Sequence, residues 1–439
     1  MLPLIADNFS GGGGASTGIT MALNRKVDIA INHNAKALIM HKANHPSTTH
    51  FTEDVFDVDP LTATKGRPVG LAWFSPDCTH FSHAKGGKPL SQGIRGLAEV
   101  TIPWAELTRP STIVLENVKE FVTWGPLDED NHPIKARAGE LFNKFVSKLK
   151  SLGYSVNYRI MRACNYGAPT SRERLFLIAK ADGSPAIWPA ATHGSGLIPY
   201  RTAAECIDWS IPIESVFERK KPLVEKTMAR IAKGISKFVL TPDNQYIVPA
   251  PIPSIGTGHP ALAAAFIAKH FGGRGTSGSS VAAPLGTITT VDHNALVLAT
   301  LVREFGTGGG VDINAPIPTI MPGGGGKTRL VQAFLIKYYG TGTAVSLNAP
   351  APTITTRDNL GLVTVNSESY IITDILMRML QPRELFKAQG FPDDYVIDPL
   401  RPDGKPLTKT TQVRMVGNSV SPIHAAAIVR ANCPELIVH

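Results

Sequence analysis

The sequence predicts an open α/β fold, a mostly parallel sheet covered by helices, interrupted by a β-rich insertion. Three observations carry this expectation. Strand-like and helix-like stretches alternate over roughly the first 180 residues. A glycine-rich loop, Gly11 to Gly14, follows the first strand-like run. After about residue 185, Gly, Pro, Thr and Ser dominate and a repeat of 34 residues sets in.

The elements follow in order. Leu2–Asp7 is a short apolar run that stops at the glycines, and Thr17–Asn24 has helical spacing. Val27–Ile31 is strand-like and Ala35–Ala43 helical. Leu71–Phe74 and Thr112–Leu115 are short apolar runs of the kind that form buried parallel strands. In Glu140–Leu149, Leu141, Phe145 and Leu149 recur at spacing four, an amphipathic helix. Leu175–Ala179 is a further strand. Helical character is expected again over Ile372–Gln389 and over Pro422–Asn432.

The insertion is a duplicated module. Phe271-Gly272, Phe305-Gly306 and Tyr339-Gly340 are 34 residues apart, each followed by Ala-Pro and Thr-Ile in Pro284–Ile288, Pro316–Ile320 and Pro350–Ile354. Pro251 to Ile255 is a partial earlier copy. A 34-residue period also suits paired helices, but these glycines, prolines and β-branched residues favour short strands and turns. The expected domains are 1–185, a β-rich 186–374, and 375–439 returning to the first.

Composition bounds the function. With 439 residues, 43% hydrophobic and 18% charged, the chain fits two globular domains and is not disordered. No run of about 18 uncharged apolar residues exists, so no membrane partner is expected. Met1–Asn8 has no basic leader, so no signal peptide is expected. The four cysteines, Cys78, Cys164, Cys206 and Cys433, form no C-x-x-C pair. That argues against a metal site and for a reduced, cytoplasmic protein. The net charge of +9 suits a polyanionic partner, although charge alone fits a merely basic protein equally well.

Four short patterns sit at strand ends. Asp7-Asn8-Phe9-Ser10 runs into Gly11, Gly12, Gly13 and Gly14 between a strand and a helix, the position of a nucleotide-type cofactor loop, with Phe9 as a face for an adenine ring. Ser75-Pro76-Asp77-Cys78-Thr79-His80 follows a strand, which puts the thiol at the ligand crevice. Lone cysteines are mostly inert core, but these polar neighbours favour a reactive one. Glu116-Asn117-Val118 ends the next strand, and Arg172-Glu173-Arg174 precedes Leu175–Ala179. Alone, the carboxylate could be a loop acid and the arginines a surface ladder.

Their order is the stronger signal. Glycine loop, Pro-x-Cys, Glu-Asn-Val and Arg-x-Arg, then Gln381 to Pro392 and Gly417 to Pro422, resemble the DNA cytosine-5 methyltransferase family across about 1–180 and 375–439. The resemblance implies a Rossmann-like S-adenosylmethionine-dependent methyltransferase domain with an inserted target recognition domain, acting on double-stranded DNA with S-adenosylmethionine as cofactor. Cys78 then matches the nucleophile that adds to carbon 6 of a flipped-out cytosine, and Glu116 the acid at ring nitrogen 3. Arg172 and Arg174 match the arginines near the base oxygen. Phe9 and Gly11 to Gly14 match the cofactor loop, Asp54 and Val55 the adenine-contacting pair, and Pro76, Leu97, Asn418 and Ser419 further cofactor contacts.

Four positions depart from the family pattern. Asp77 and Thr79 flank Cys78 where proline and glutamine are usual, Asn32 replaces the ribose-binding acid, and Thr170 replaces the glutamine that opens the Arg-x-Arg block. Gly323 to Thr328 ends like a phosphate-binding P-loop, but Met321 stands where its first glycine belongs. Lys327, Thr328 and Arg329 are read instead as DNA contacts. The remaining alternatives are an RNA cytosine-5 methyltransferase and a catalytically inert DNA binder of the same fold. A monomer is the default, and the recognition sequence is not written in the chain.

Overall fold

The structure, a computed structural model, describes residues 2–76, 97–130, 132–249, 261–270, 278–291, 293–303, 331, 334 and 362–438. It divides into two compact units. One holds 1–201, 284–291 and 381–439, and the other 202–283 and 292–380. The chain thus leaves the first unit, returns for eight residues, leaves again and comes back. The first exit falls after Arg201 rather than near 185, and the last return at Gln381 rather than 375.

The first unit is built on a seven-stranded sheet. Its strands are β1 (Leu4–Asn8), β2 (Ile29–Ile31), β3 (Thr49–Phe51), β4 (Val69–Phe74), β5 (Thr112–Asn117), β6 (Ser155–Arg162) and β7 (Glu173–Lys180), in the order β3-β2-β1-β4-β5-β7-β6. The first five are parallel, while β7 runs antiparallel to both β5 and β6. Every residue of β1, β4 and β5 is buried, as the continuous apolar runs required. Alternate residues serve opposite faces. Ala6, Ala72, Phe74, Ile113 and Leu115 pack with Trp104, Phe121, Phe142 and Phe145 on one side. Ile5, Leu71, Trp73, Val114, Phe176 and Ile178 pack on the other with α1 (Gly14–Leu23) and a C-terminal helix, Pro422–Asn432.

The other helices of this unit are α2 (Ala35–Asn44), α3 (Pro60–Thr64), α4 (Thr101–Leu107) and α5 (Glu140–Ser151), which match the spacing read for Ala35–Ala43 and Glu140–Leu149. Two features of the second unit correct the sequence reading. A 14-residue helix, α6 (Glu225–Phe238), lies in the stretch expected to be β-rich. Its Met228, Ile231, Ile235 and Phe238 pack on a six-stranded sheet, and Gly234 lets it approach the Phe266 ring. The strands are β8 (Glu214–Ser215), β9 (Ala261–Lys269), β10 (Ser279–Ser280), β11 (Asn294–Arg303), β12 (Leu362–Val365) and β13 (Glu368–Met379), all antiparallel, in the order β10-β9-β11-β13-β12 with β8 on β13.

The second correction is β13 itself, since its residues from Ile372 onward were expected to be helical. From Ile372 onward it pairs along its length with β11 and, at Leu376 and Met377, with β8 on its other edge, and this pairing overrides the helix preference of its Leu and Met residues. The chain then forms α7 (Pro382–Gln389), α8 (Lys409–Asn418) and α9 (Pro422–Asn432) in the first unit. Of the repeat copies, 284–291 is described, and it joins the first unit by parallel pairing of Leu285 with Thr170. Copies 316–320 and 350–354 lie outside the described residues.

Candidate active site

β1 delivers the glycine loop between two strand ends. The Asn8 amide donates to the Trp73 carbonyl of β4 at 3.3 Å, and the Ser10 N–H to the Ile31 carbonyl of β2 at 3.1 Å. Phe9 adopts φ 62°, a left-handed conformation unusual for a side chain of that size, and Gly11 and Gly13 adopt 52° and 95°. A Cβ on Gly11 would meet only the Phe9 carbonyl at 3.8 Å, so open space lies beside this backbone.

Helix α1 starts here without a side chain at its N-cap, Gly13. Asp7 reaches this helix start from the end of β1. Its carboxylate accepts the hydroxyl of Ser16, the third residue of the helix, at 2.6 Å. Burial pushes the Asp7 carboxyl up to about 7, with Ser16 opposing the rise. Behind it runs a buried polar chain. With the Ser16 hydroxyl donated to Asp7, His41 Nε2 donates to Ser16 at 2.9 Å, and His41 Nδ1 accepts from His50 Nε2 at 2.8 Å. Burial, with His45 and His50 beside it, holds His41 well below the usual histidine range.

Glu116 closes β5. Its carboxylate is buried, and Arg174 Nε lies 3.0 Å from Oε1, an ion pair without hydrogen-bond alignment. Arg174 in turn donates to the Glu173 carbonyl at 2.7 Å. Next to Glu116, Asn117 spans two turns. Its Nδ2 donates to the Pro76 carbonyl at 3.5 Å and its Oδ1 accepts from the Val118 N–H at 2.8 Å. Pro76 is therefore held two residues before Cys78, which itself lies outside the described residues.

These groups line one cleft of the first unit with about 910 Å³ of open space, its mouth included. Phe9, Gly11, Gly12 and Gly14 form one wall, Asn32 to Asn34 a second, and Pro76, Glu116, Arg172 and Arg174 a third. The fourth comes from the far end of the chain: Arg414, Met415 and Asn418 of α8, then Ser419 and Val420.

Gly13, Asp54 and Val55 are not in its lining, and other expected residues have structural partners as well. Gly13 turns toward Tyr395 and His45. Val55 is core beneath the sheet, and Asp54 Oδ1 accepts from the Phe56 N–H at 3.1 Å to close a turn. Leu97 begins a short 3₁₀ helix, Leu97–Val100. Arg172 is buried and ties backbone together, donating to Ile288 and Gly417 carbonyls, both at 3.1 Å. The departures find local uses: Asn32 Oδ1 accepts from the Asn34 N–H at 2.8 Å, and Thr170 pairs with Leu285 through its backbone. Asp77, Thr79, Lys327, Thr328 and Arg329 lie outside the described residues. Sequence reading missed Ser10, His33, Asn34, Arg414 and Met415. Of these, Arg414 could have been found, since it stands four residues before Asn418 on the same helix face.

A cleft at the carboxyl ends of parallel strands, with a glycine loop in its wall, defines a nucleotide-cofactor site of the open α/β class. The comparisons make the class specific. The profile of the family described as C-5 cytosine-specific DNA methylase matches residues 4–222 and 331–432. The chain belongs to that family. It is similar to the Type II methyltransferase M.AgeI of Thalassovita gelatinovora, 27% identical over 199 residues that cover 43% of this chain and 42% of that protein. It is also similar to the Type II methyltransferase M.AquIA of Picosynechococcus sp., 27% identical over 227 residues, 45% of this chain and 85% of that one. The chain thus spans less than half of the first relative and most of the second. Among solved structures, the fold resembles a mutant of DNMT2 from Spodoptera frugiperda, with TM-score 0.50 and 14% identity, covering 98% of this chain and 99% of that one.

The family uses S-adenosylmethionine as methyl donor, and the cleft fits that group. Open space beside Gly11 admits a ligand against backbone, and Phe9 offers an aromatic face. Gly14 and Ala15, the first turn of α1, stand in the wall where the free N–H groups of a helix start suit a carboxylate. Asn32 and Asn34 carry amides that suit hydroxyls.

Proposed function

We propose that this chain is a DNA cytosine-5 methyltransferase that takes S-adenosylmethionine in the cleft and modifies a flipped-out cytosine in a specific duplex sequence. The observation that carries the reading is Glu116. It is a buried carboxylate whose Oε1 accepts no hydrogen bond among the described residues, in the lining of the cleft that holds the glycine loop. Such an atom, held beside Arg174 and left with bonding capacity, suits the ring nitrogen and exocyclic amine of cytosine.

S-adenosylmethionine supplies an electrophilic methyl group. The chain's part is to make carbon 5 nucleophilic. The Cys78 thiolate adds to carbon 6, Glu116 stabilises the charge that gathers on the ring at nitrogen 3, and loss of the carbon 5 proton with expulsion of the thiolate restores the ring. The base must leave the stack for this, as in other enzymes that act on bases. Asn117, by holding the Pro76 carbonyl, fixes where the Cys78 segment starts. Lys327, Thr328 and Arg329 are the proposed DNA contacts, and the protein is read as a cytoplasmic monomer that needs no metal.

Methyl transfer from labelled S-adenosylmethionine to duplex DNA, mapped by bisulfite sequencing, tests this. Wild type should methylate cytosine in one sequence context. Cys78→Ser should not, while still binding DNA, and 5-fluorocytosine DNA should trap wild type covalently. Activity kept by Cys78→Ser, or a preference for transfer RNA over DNA in competition, would overturn the reading.

A further inference from the structure

The glycine loop holds a conformation that a chain rarely keeps unaided. Three of its five residues from Phe9 to Gly13 have positive φ, Phe9 among them, and such backbone persists only where surrounding structure over-determines it. The clamp is on the side away from the cleft. The hydroxyl of Tyr395, from the C-terminal return, donates to the carbonyl of Gly12. Thr17 Oγ1 donates to the Gly13 carbonyl at 2.7 Å, and His45 Nε2 lies 3.3 Å from the same Thr17 oxygen. Two consecutive loop carbonyls are thus each held by a side-chain hydroxyl.

Tyr395 is itself immobilised. Its ring packs against Phe386 and Phe391, with centroids 6.1 and 4.6 Å away. Its carbonyl accepts from Arg383 at 2.6 Å, and the next residue, Val396, exchanges two backbone bonds with the Asn44 side chain of α2 at 2.8 and 2.9 Å. Burial raises the phenol well above its ordinary range, so it donates at every pH the protein meets. A phenylalanine would satisfy all the packing. The hydroxyl serves the bond to Gly12 and faces Thr17, the other member of the clamp.

We propose that Tyr395 is a positioning residue for S-adenosylmethionine: it fixes the glycine loop in its binding conformation before the ligand arrives, although it never touches the ligand. The ordering of loop backbone is then complete in the free protein, which strengthens binding. The inference rests on the reading that the cleft takes S-adenosylmethionine.

Calorimetric titration with S-adenosylhomocysteine tests it, on the full chain and on Tyr395→Phe. The variant should bind about fivefold to tenfold more weakly, the size of one buried hydrogen bond. In methyl transfer its KM for S-adenosylmethionine should rise by the same factor, while KM for DNA and kcat stay within about twofold of wild type. Loosened packing alone would lower the melting temperature without that split. Unchanged affinity in a folded Tyr395→Phe overturns the inference. Absence of binding by wild type overturns the functional reading instead. If Tyr395→Phe does not fold, Thr17→Val, which removes the companion hydroxyl, is judged by the same criterion.

Discussion

Arg174 and Glu116 come from different strands, and their 3.0 Å contact sets the chemistry of the cleft lining. Glu116→Gln keeps the shape and removes the charge. Methyl transfer should fall by about 10²–10³, the usual cost of deleting one electrostatic stabiliser, while S-adenosylhomocysteine affinity changes less than about twofold. A labelled-methyl assay beside a binding titration reads both. Residues like these were legible because each belongs to a short pattern at a strand end. Tyr395, His41 and His45 were not. Tyr395 meets Gly12, 383 positions away in the chain, and no local spacing announces such a partner. Arg172 was legible as a site residue, but its bonds to Ile288 and Gly417 carbonyls depend on a return of the chain that no pattern specified.

Between elements, α1 fits closely against α9 and the residues just before it. A Cβ at Gly14 would strike Ser419 Oγ and the Val420 carbonyl, and one at Gly18 would strike the Pro422 carbonyl and Ala425. Gly18 is not among the residues that line the cleft, so its substitution reads packing rather than ligand contact. Gly18→Ala should destabilise the first unit by about 1–3 kcal/mol, since backbone must move to admit the methyl. Urea unfolding followed by tryptophan fluorescence measures this. Elements with one clear period were read well: Pro422–Asn432 emerges with the expected bounds because a proline at its first turn marks the start. Helix α6 was overlooked although Met228, Ile231, Ile235 and Phe238 have helical spacing, because the glycine- and proline-rich surroundings set the reading for the whole insertion. In β13 the error ran the other way, since its partners β11 and β8, far back along the chain, decide a strand inside a sheet.

At the scale of the molecule, the buried titratable groups oppose one another. Burial lowers His45 to about 4 and His424 to about 3 from an ordinary 6.5, and lowers His41 as well. The unfolded chain takes up these protons more readily, so their stability is full above pH 6.5 and drains as pH falls below it. Asp7, raised from 3.8 to about 7, has the opposite sign: its stability is full below its ordinary value and is lost as pH rises toward 7. Three groups outweigh one. The melting temperature should therefore fall on acidification from pH 6.5 to 5, and Asp7→Asn should fall more steeply because the compensating proton is gone. An equal slope in Asp7→Asn would show that Asp7 is ionised throughout.

The two ends of the chain meet in one cleft, and this imposes an order on its making. As the polypeptide leaves the ribosome, Phe9 and Glu116 emerge early, but the wall formed by Arg414 to Val420 comes roughly three hundred residues after Glu116. A nascent chain halted between Arg174 and Arg414 carries Glu116 and Arg174 without the wall that completes their cleft. Translation thus delays completion of the cleft until Val420 has emerged, and fragments that stop before Arg414 would lack this wall.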